Sequence, residues 1–387
     1  MTSEAAINAP LKGVRVLELA RILAGPWAGQ TLADLGADVL KVESHEGDDT
    51  RSWGPPFVEN SDGSKDASYF HACNRGKRSI ALDFKDPESI KAIKDLVADA
   101  DVVIENFKLG GLEKYGLDYE SLAAINPRLV YCSITGFGQT GPYAARAGYD
   151  FLVQGMSGIM DLTGHPNGPP QKIGVAFADI FTGLYAVIGI QAALKHRETS
   201  ERGQQIDVSL FDCMVGVLAN QAMNYLTSGN NPTRAGNVHP NIAPYETFPT
   251  QDSWFILAVG NDGQFKRFCE VVGLNSLPSD PSFSTNVARV KNQKDLSERI
   301  KAQTQTWTRD ALLKRLEQEN VPASRINTVQ DAFNDPQIIA REMLTQLTRG
   351  SGGAPIPSVR TPLKFSDSEL TLETPSPLHG KNKAEWL

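Results

Sequence analysis

This chain is poor in sulfur, poor in histidine and short of basic charge, and each shortage closes off a class of function. Its 387 residues include four cysteines. Cys73, Cys132, Cys213 and Cys269 stand far apart with no CxxC pair. The spacing predicts reduced, mostly buried thiols in a cytoplasmic type of compartment, not a disulfide framework. Cys213 lies in the apolar run 210–215 and reads as core. The six histidines form no pair at metal-ligand spacing, so no zinc site is expected. A net charge of -7 argues against a general nucleic-acid binder, while leaving room for local basic pockets. No apolar run reads as long enough to cross a membrane, and the opening MTSEAAINAPLKG lacks a signal-peptide core.

What is present is an ordinary globular composition, 41% hydrophobic and 21% charged, at a length suited to two or three domains. Strands are expected at 14–19, 38–43, 78–82, 101–105 and 129–133. Helices at 25–35, 87–98 and 119–124 alternate with them. Alternation of this kind predicts a doubly wound α/β domain with a parallel sheet. From residue 150 the pattern turns mostly helical, at 151–160 and 181–196. A strand at 205–209 then leads into a long apolar helix, 210–226. The stretch 227–240, rich in Gly, Asn and Pro, reads as a linker or mobile loop. Paired strands at 245–248 and 254–259 follow, then helices at 264–272, 293–303 and 310–319, the last with Thr308 as its cap. Short strands and loops close the chain, including the Gly- and Pro-rich run 350–357.

One acidic residue stands out. Asp179 directly precedes the apolar helical run 184–194. At a helix start a carboxylate accepts backbone N–H bonds and meets the positive end of the helix dipole. Both effects favour its ionised form, and an ionised carboxylate is a nucleophile. The plain alternative is an N-cap with no chemistry. A dinucleotide site fits poorly. Glu43 ends the second strand where a ribose ligand would sit, but 20–29 contains no GxGxxG and Pro26 blocks the phosphate turn. Basic residues gather at loop positions instead: Arg75, Lys77, Arg78, Lys108, Lys114 and Arg146. Several follow sheet strands, where open α/β folds bind ligands. Asn106-Phe107 offers an amide beside an aromatic ring, which suits a flat heterocycle. A ligand with phosphates and an adenine uses both features.

The segments LKGVRVLELARILAGPWAGQTLADLGADVLKVE, NRGKRSIALDF, VIENF, SITGFGQTGPY, RAGYDFLVQGMSG, GVAFADIFTG and RGQQIDVSLFD, in that order, resemble the class III CoA-transferases, the group of formyl-CoA and carnitine CoA-transferases. The likeness runs from about Leu11 through the C-terminal region. It implies a large Rossmann-like α/β domain, begun by 1–220 and completed by 326–387, with a small α+β domain and linkers at 221–325. It implies an interlocked homodimer. It makes Asp179 the catalytic nucleophile and places Arg21, Leu23, Ala24, Leu82, Asn106, Phe107, Gly111, Lys114 and Arg146 near CoA. Acyl-CoA thioesters and small carboxylates are then substrates, with no permanently bound cofactor, no metal, no nucleic acid and no membrane partner.

The departures narrow the chemistry. Formyl-CoA transferases carry His and Gln where this chain has Arg21 and Leu23, and an adenine-side Arg where it has Ser44. Their tetraglycine loop is replaced by 236–241, with Gly236, Asn237, His239 and Asn241. The fold also serves α-methylacyl-CoA racemases, which read RAGHD where this chain has Tyr149 before Asp150. A phenol is a poor proton shuttle at neutral pH, so acyl transfer is favoured over racemisation. The resemblance implies attack of Asp179 on a thioester, an anhydride, and then an aspartyl-CoA thioester. Loop 236–241 is a candidate oxyanion donor and lid, or a plain linker. It is similar to the loop of succinyl-CoA:dicarboxylate transferases acting on glutarate, with His239, Asn237, Asn241 and Arg234 as donors. Monocarboxylate or carnitine-like acceptors, a racemase and a non-enzymatic acyl-CoA binder are the alternatives.

Overall fold

The short aliphatic runs of the first half of the chain line up as one sheet. In the computed structural model, which describes residues 8–60, 62–349 and 354–387, its strands are β1 (Arg15–Glu18), β2 (Asp38–Glu43), β3 (Arg78–Ala81), β4 (Val102–Glu105), β5 (Val130–Thr135) and β6 (Gln205–Ser209). They lie in the order β3-β2-β1-β4-β5-β6, and each neighbouring pair is parallel. Parallel strands need crossovers and are covered on both faces, which is why Val16, Leu17, Val39, Leu40, Val103 and Ile104 are all buried. The strand order reverses between β1 and β4. That switch point is where open α/β sheets bind ligands.

The chain forms two units. The first comprises Met1–Met160, Lys172–Asn230 and Pro336–Leu387; the second comprises Asp161–Gln171 and Asn231–Asp335. The sequence reading puts its small domain at 221–325 and assigns 161–171 elsewhere. The difference has a local cause. Arg234 donates to the Asp161 carbonyl at 2.8 Å, and the Gly236 N–H donates to Gly164 O at 3.1 Å. Such bonds leave no mark in composition.

In the first unit the helix Phe177–Ser200 runs for 24 residues, four longer at each end than its apolar pattern indicates. It is long and apolar enough to cross a membrane by length and composition, which corrects the reading that no run approaches that length. One face is buried: Ala178, Thr182, Ala186, Ile190 and Ala193 recur at helical spacing. Gly183 lets it approach the helix Ala24–Asp34, since a Cβ there lies 2.7 Å from the Ala24 carbonyl. The apolar stretch 210–226 is two helices, Leu210–Gly216 and Ala219–Ser228, because the backbone turns left-handed at Ala219 (φ 48°). Apolar spacing continues across the break, so the pattern conceals it. Likewise 151–160 divides at Gly158 into Asp150–Met156 and Ile159–Leu162.

The open edge of β3 is covered by 379–387. The Asn382 N–H donates to Ser79 O at 3.0 Å, the Ser79 N–H donates to Asn382 Oδ1 at 2.9 Å, and Trp386 Nε1 donates to Leu96 O at 3.0 Å. Covered edges do not template strand addition. Residues 350–353 of the Gly- and Pro-rich run lie outside the described residues.

The second unit holds a three-stranded antiparallel sheet, ordered Ala323–Arg325, Trp254–Ala258, Tyr245–Pro249. Phe248, Phe255 and Leu257 pack with Phe265, Phe268, Leu296 and Leu312 in a core of its own. Thr308 occupies the N-cap of Arg309–Gln318 but makes no side-chain capping bond.

Candidate active site

The site is built where β1 and β4 end. After β1 the chain forms a ledge, 20–26, before and into the helix Ala24–Asp34. Pro26 fits because the first helical turn has N–H groups without intrahelical partners. Beneath the ledge lie two buried lysines. Lys41 Nζ is 3.0 Å from Glu18 Oε1 and donates to Ala20 O at 2.7 Å. Lys77 Nζ is 2.7 Å from Glu18 Oε2 and donates to Pro26 O at 2.8 Å. Burial penalises both ammonium groups. Around Lys41, Glu18, Asp48 and Glu43 prevail and raise it above the usual lysine range; at Lys77 burial wins and lowers it. Gly29 makes room for the network, since a Cβ there falls 1.8 Å from Glu18 Oε2.

Asp179 sits in the first turn of Phe177–Ser200, not at its cap. The N-cap is Ala176, which makes no side-chain bond. The capping bond comes from elsewhere: Asp150 Oδ1 accepts from the Ala178 N–H at 2.8 Å. The expectation that Asp179 is a strongly ionised cap is therefore corrected. Burial, and then the neighbouring Asp150 carboxylate, push its pKa up to about 7. The outcome still suits a nucleophile. A carboxylate made more basic by poor solvation donates its electron pair more readily, yet is largely ionised just above neutrality.

Asp179 lines a cavity of about 340 Å³, together with Arg21, Leu23, Ala24, Asn106, Phe107, Gly111, Arg146 and Tyr149. Leu82 lines a neighbouring cavity of about 280 Å³ with Ser44, Phe84, Arg21 and Phe107. Phe84 and Phe107 stand 5.7 Å apart, tilted by 38°. Arg146 lies over the Tyr143 ring at 4.5 Å. Lys114 lines neither cavity; its ammonium rests 4.7 Å from the Tyr115 ring centre.

Several residues have other duties than the sequence indicates. The Asn106 amide grips the main chain of Arg21: Oδ1 accepts from Arg21 N at 3.0 Å and Nδ2 donates to Arg21 O at 2.7 Å. Arg75 pairs with Asp34 at 2.5 Å, Lys77 with Glu18 and Arg78 with Asp38 at 2.7 Å, so this basic trio is structural. Glu43 takes a two-point bond from Arg51, at 2.7 and 2.8 Å, and one from Ser79. That excludes it as a ribose ligand.

Loop 236–241 belongs to the second unit. Asn237 Nδ2 donates to Thr247 Oγ1 at 3.1 Å, and the His239 ring stands 5.1 Å from Tyr245. His239 Nδ1 accepts from the Asn241 N–H at 3.1 Å, which places the neutral ring's proton on Nε2. Arg234 is engaged by Asp161 and the His165 carbonyl.

Three residues near Asp179 escape sequence reasoning. Asp150 adjoins Tyr149 in a motif, but nothing in the sequence says that it caps a different helix. Gln154 is fully buried; it donates to Asp150 Oδ2 at 2.8 Å and accepts from the Ile173 N–H at 2.9 Å, tying down the approach to Asp179. Tyr69 is pushed up to about 12 by burial, then by the charges of Asp179, Cys73 and Asp150. No local signal marks it.

Comparison with known proteins gives the arrangement its context. The chain is 57% identical over 380 residues to a succinate--glutarate CoA-transferase of Agrobacterium fabrum, covering 98% of this chain and 95% of that protein. It is 40% identical to the human succinyl-CoA:glutarate CoA-transferase, covering 98% and 85%. The crystal structure of a CAIB/BAIF family protein from Brucella suis superposes with a TM-score of 0.86 at 61% identity, covering 97% of each chain. The model of CoA-transferase family III matches residues 11–383, and the chain belongs to that family.

Proposed function

We propose that this enzyme carries CoA from succinyl-CoA to a short dicarboxylate such as glutarate, through covalent intermediates on Asp179. The observation that carries the chemistry is Asp179 itself, a carboxylate of raised basicity lining a cavity at the switch point of the sheet. The choice of acids is supported by the succinate--glutarate relatives.

The steps balance. A carboxylate oxygen of Asp179 attacks the thioester carbonyl, the C–S bond breaks, and an aspartyl–succinyl anhydride forms with CoA thiolate. The thiolate attacks the aspartyl carbonyl, succinate leaves, and an aspartyl-CoA thioester remains. The acceptor carboxylate attacks that thioester and expels CoA thiolate. The thiolate takes the new acyl group and frees Asp179. CoA thioesters are thus substrates and not a resident cofactor. The family likeness supports Arg21, Phe107 and Arg146 as CoA contacts, and the resemblance of loop 236–241 to that of the dicarboxylate enzymes supports His239, Asn237 and Asn241 as donors to the acceptor acid.

We place two copies in the working enzyme, interlocked as the family likeness implies. Leu184, Tyr185 and Ile188 form an exposed apolar face on the helix Phe177–Ser200, which a second copy would cover. Four free, buried thiols suit a cytoplasmic setting.

One assay tests the reading. Purified protein with succinyl-CoA and a panel of mono- and dicarboxylates, read by mass, should yield glutaryl-CoA and succinate. Transfer to monocarboxylates alone rejects the assignment. Asp179→Ala should lose transfer by at least about a thousandfold while CoA binding persists. Hydroxylamine trapping should tag Asp179 and no other residue.

A further inference from the structure

The ledge 20–26 contains a conformation that needs a cause. Ile22 has φ 72°, and among the described residues it is the one β-branched residue in the left-handed region. A branched side chain there is an outlier, and such strain persists only where the surroundings over-determine it.

The surroundings do so. The Ile22 N–H points to the Asp48 carboxylate, 3.2 Å from Oδ2. The Cys73 thiol lies 3.5 Å from the Ile22 carbonyl. Asn106 holds both main-chain groups of Arg21, and Lys41 and Lys77 hold the carbonyls of Ala20 and Pro26. None of these side chains belongs to the ledge. Asp48 is the most constrained of them. It is buried, sits 2.9 Å from Lys41 Nζ, and accepts from Thr50 at both N and Oγ1.

Its location is unusual. Asp48 lines the smaller cavity with Ser44, Leu82 and Phe84, while the ledge it grips lines the larger cavity with Asp179. One carboxylate therefore lines the smaller compartment and holds the wall of the larger one.

We infer that Asp48 is a positioning residue: by holding Ile22 left-handed it sets the main chain of residues 22–24 against Asp179, and it links occupancy of the smaller cavity to that geometry. This rests on Asp179 as the reacting group. Binding energy gained away from the reacting atoms would thereby maintain alignment at them.

Four proteins test it with succinyl-CoA and glutarate: wild type, Asp48→Asn, Ile22→Gly and the double variant. Asparagine keeps the shape but removes the charge, and Lys41 retains Glu18 as partner. Glycine adopts the left-handed region without strain. Asp48→Asn should lower kcat at least about tenfold alone, but less than about threefold in the Ile22→Gly background. CoA affinity by calorimetry should move less than about threefold in either. An equal kcat loss in both backgrounds would overturn the inference, because Asp48 would then act only through its charge network. A change confined to KM would overturn it too. Should Asp48→Asn fail to fold, Asn106→Ala replaces it, with the same dependence on background expected and the same outcome decisive. An active Asp179→Ala protein would instead reject the nucleophile assignment, a separate failure.

Discussion

Two loops of this chain, 20–26 and 236–241, are held by different kinds of bond. The first is gripped by side chains from outside it, of which Lys41, Asp48 and Lys77 are buried and charged and Asn106 is a half-buried amide. The second is tied by neutral contacts, to Thr247 and Tyr245 close by in sequence and to Gly164 and Asn286 farther away. Charged bonds in a buried setting are stiff, and losing one partner strands the other. Neutral bonds at an exposed loop are exchanged for water at small cost. On the function proposed above, the contrast divides two tasks: the ledge would keep a carboxylate and a thioester aligned, and the loop would read the acid.

The contrast breaks if ledge and loop substitutions prove equally costly. The largest effect expected is from Lys77→Met, which leaves Glu18 with one of its two ammonium partners; it should cost about 3–5 kcal/mol in denaturant unfolding. Gly29→Ala should cost about 2–4 kcal/mol by the same measurement, because its Cβ enters the Glu18 carboxylate.

A pH profile comes next. Asp179 is pushed to about 7 in the folded protein, so kcat/KM for acyl-CoA should fall about tenfold per unit below that point. Asp150→Asn removes a like charge and should move the limb to lower pH. Stability carries the opposite sign. Folded protein keeps a proton on Asp179 that unfolded chain has already lost between about 4 and 7, so ionisation weakens the fold as pH rises through that window. Asp179→Asn should therefore raise the melting temperature at pH 8, with the gain fading as pH falls. A gain that grows on acidification would reject the raised pKa.

The smallest effects belong to the loop. His239→Asn should raise the KM for glutarate about three- to tenfold and shift the melting temperature by less than about 2 °C. A melting shift as large as that of Lys77→Met would erase the distinction.

The parallel sheet was legible because most of its strands carry a short aliphatic centre, such as 16–17, 39–40 and 102–104, and its crossovers carry ordinary start signals, such as the Asp86 cap and the Pro87 that opens Pro87–Ala98. Asp179 was legible as a residue but not in its state. Its electrostatics depend on burial and then on Asp150, 29 positions earlier, and no local pattern reports a cap supplied by another helix. The same applies to the basic residues. Arg75, Lys77 and Arg78 resemble a phosphate cluster in sequence, and only tertiary contacts reveal their acidic partners. Tyr69 and the Ile22 geometry have no precursor in composition or periodicity.

The strap over β3 also affects how the protein is made. Ser79 and Asn382 are 303 positions apart. At typical translation rates of about 5–20 residues per second, roughly 15–60 s separate the emergence of the edge strand from that of its cover. From the emergence of the last strand, Gln205–Ser209, until that cover arrives, the sheet has all its strands but one flank available for pairing. The nascent chain should therefore engage holding chaperones late, and ribosomes stalled shortly before residue 379 should release a product that aggregates, although every residue lining the Asp179 cavity has already been synthesised.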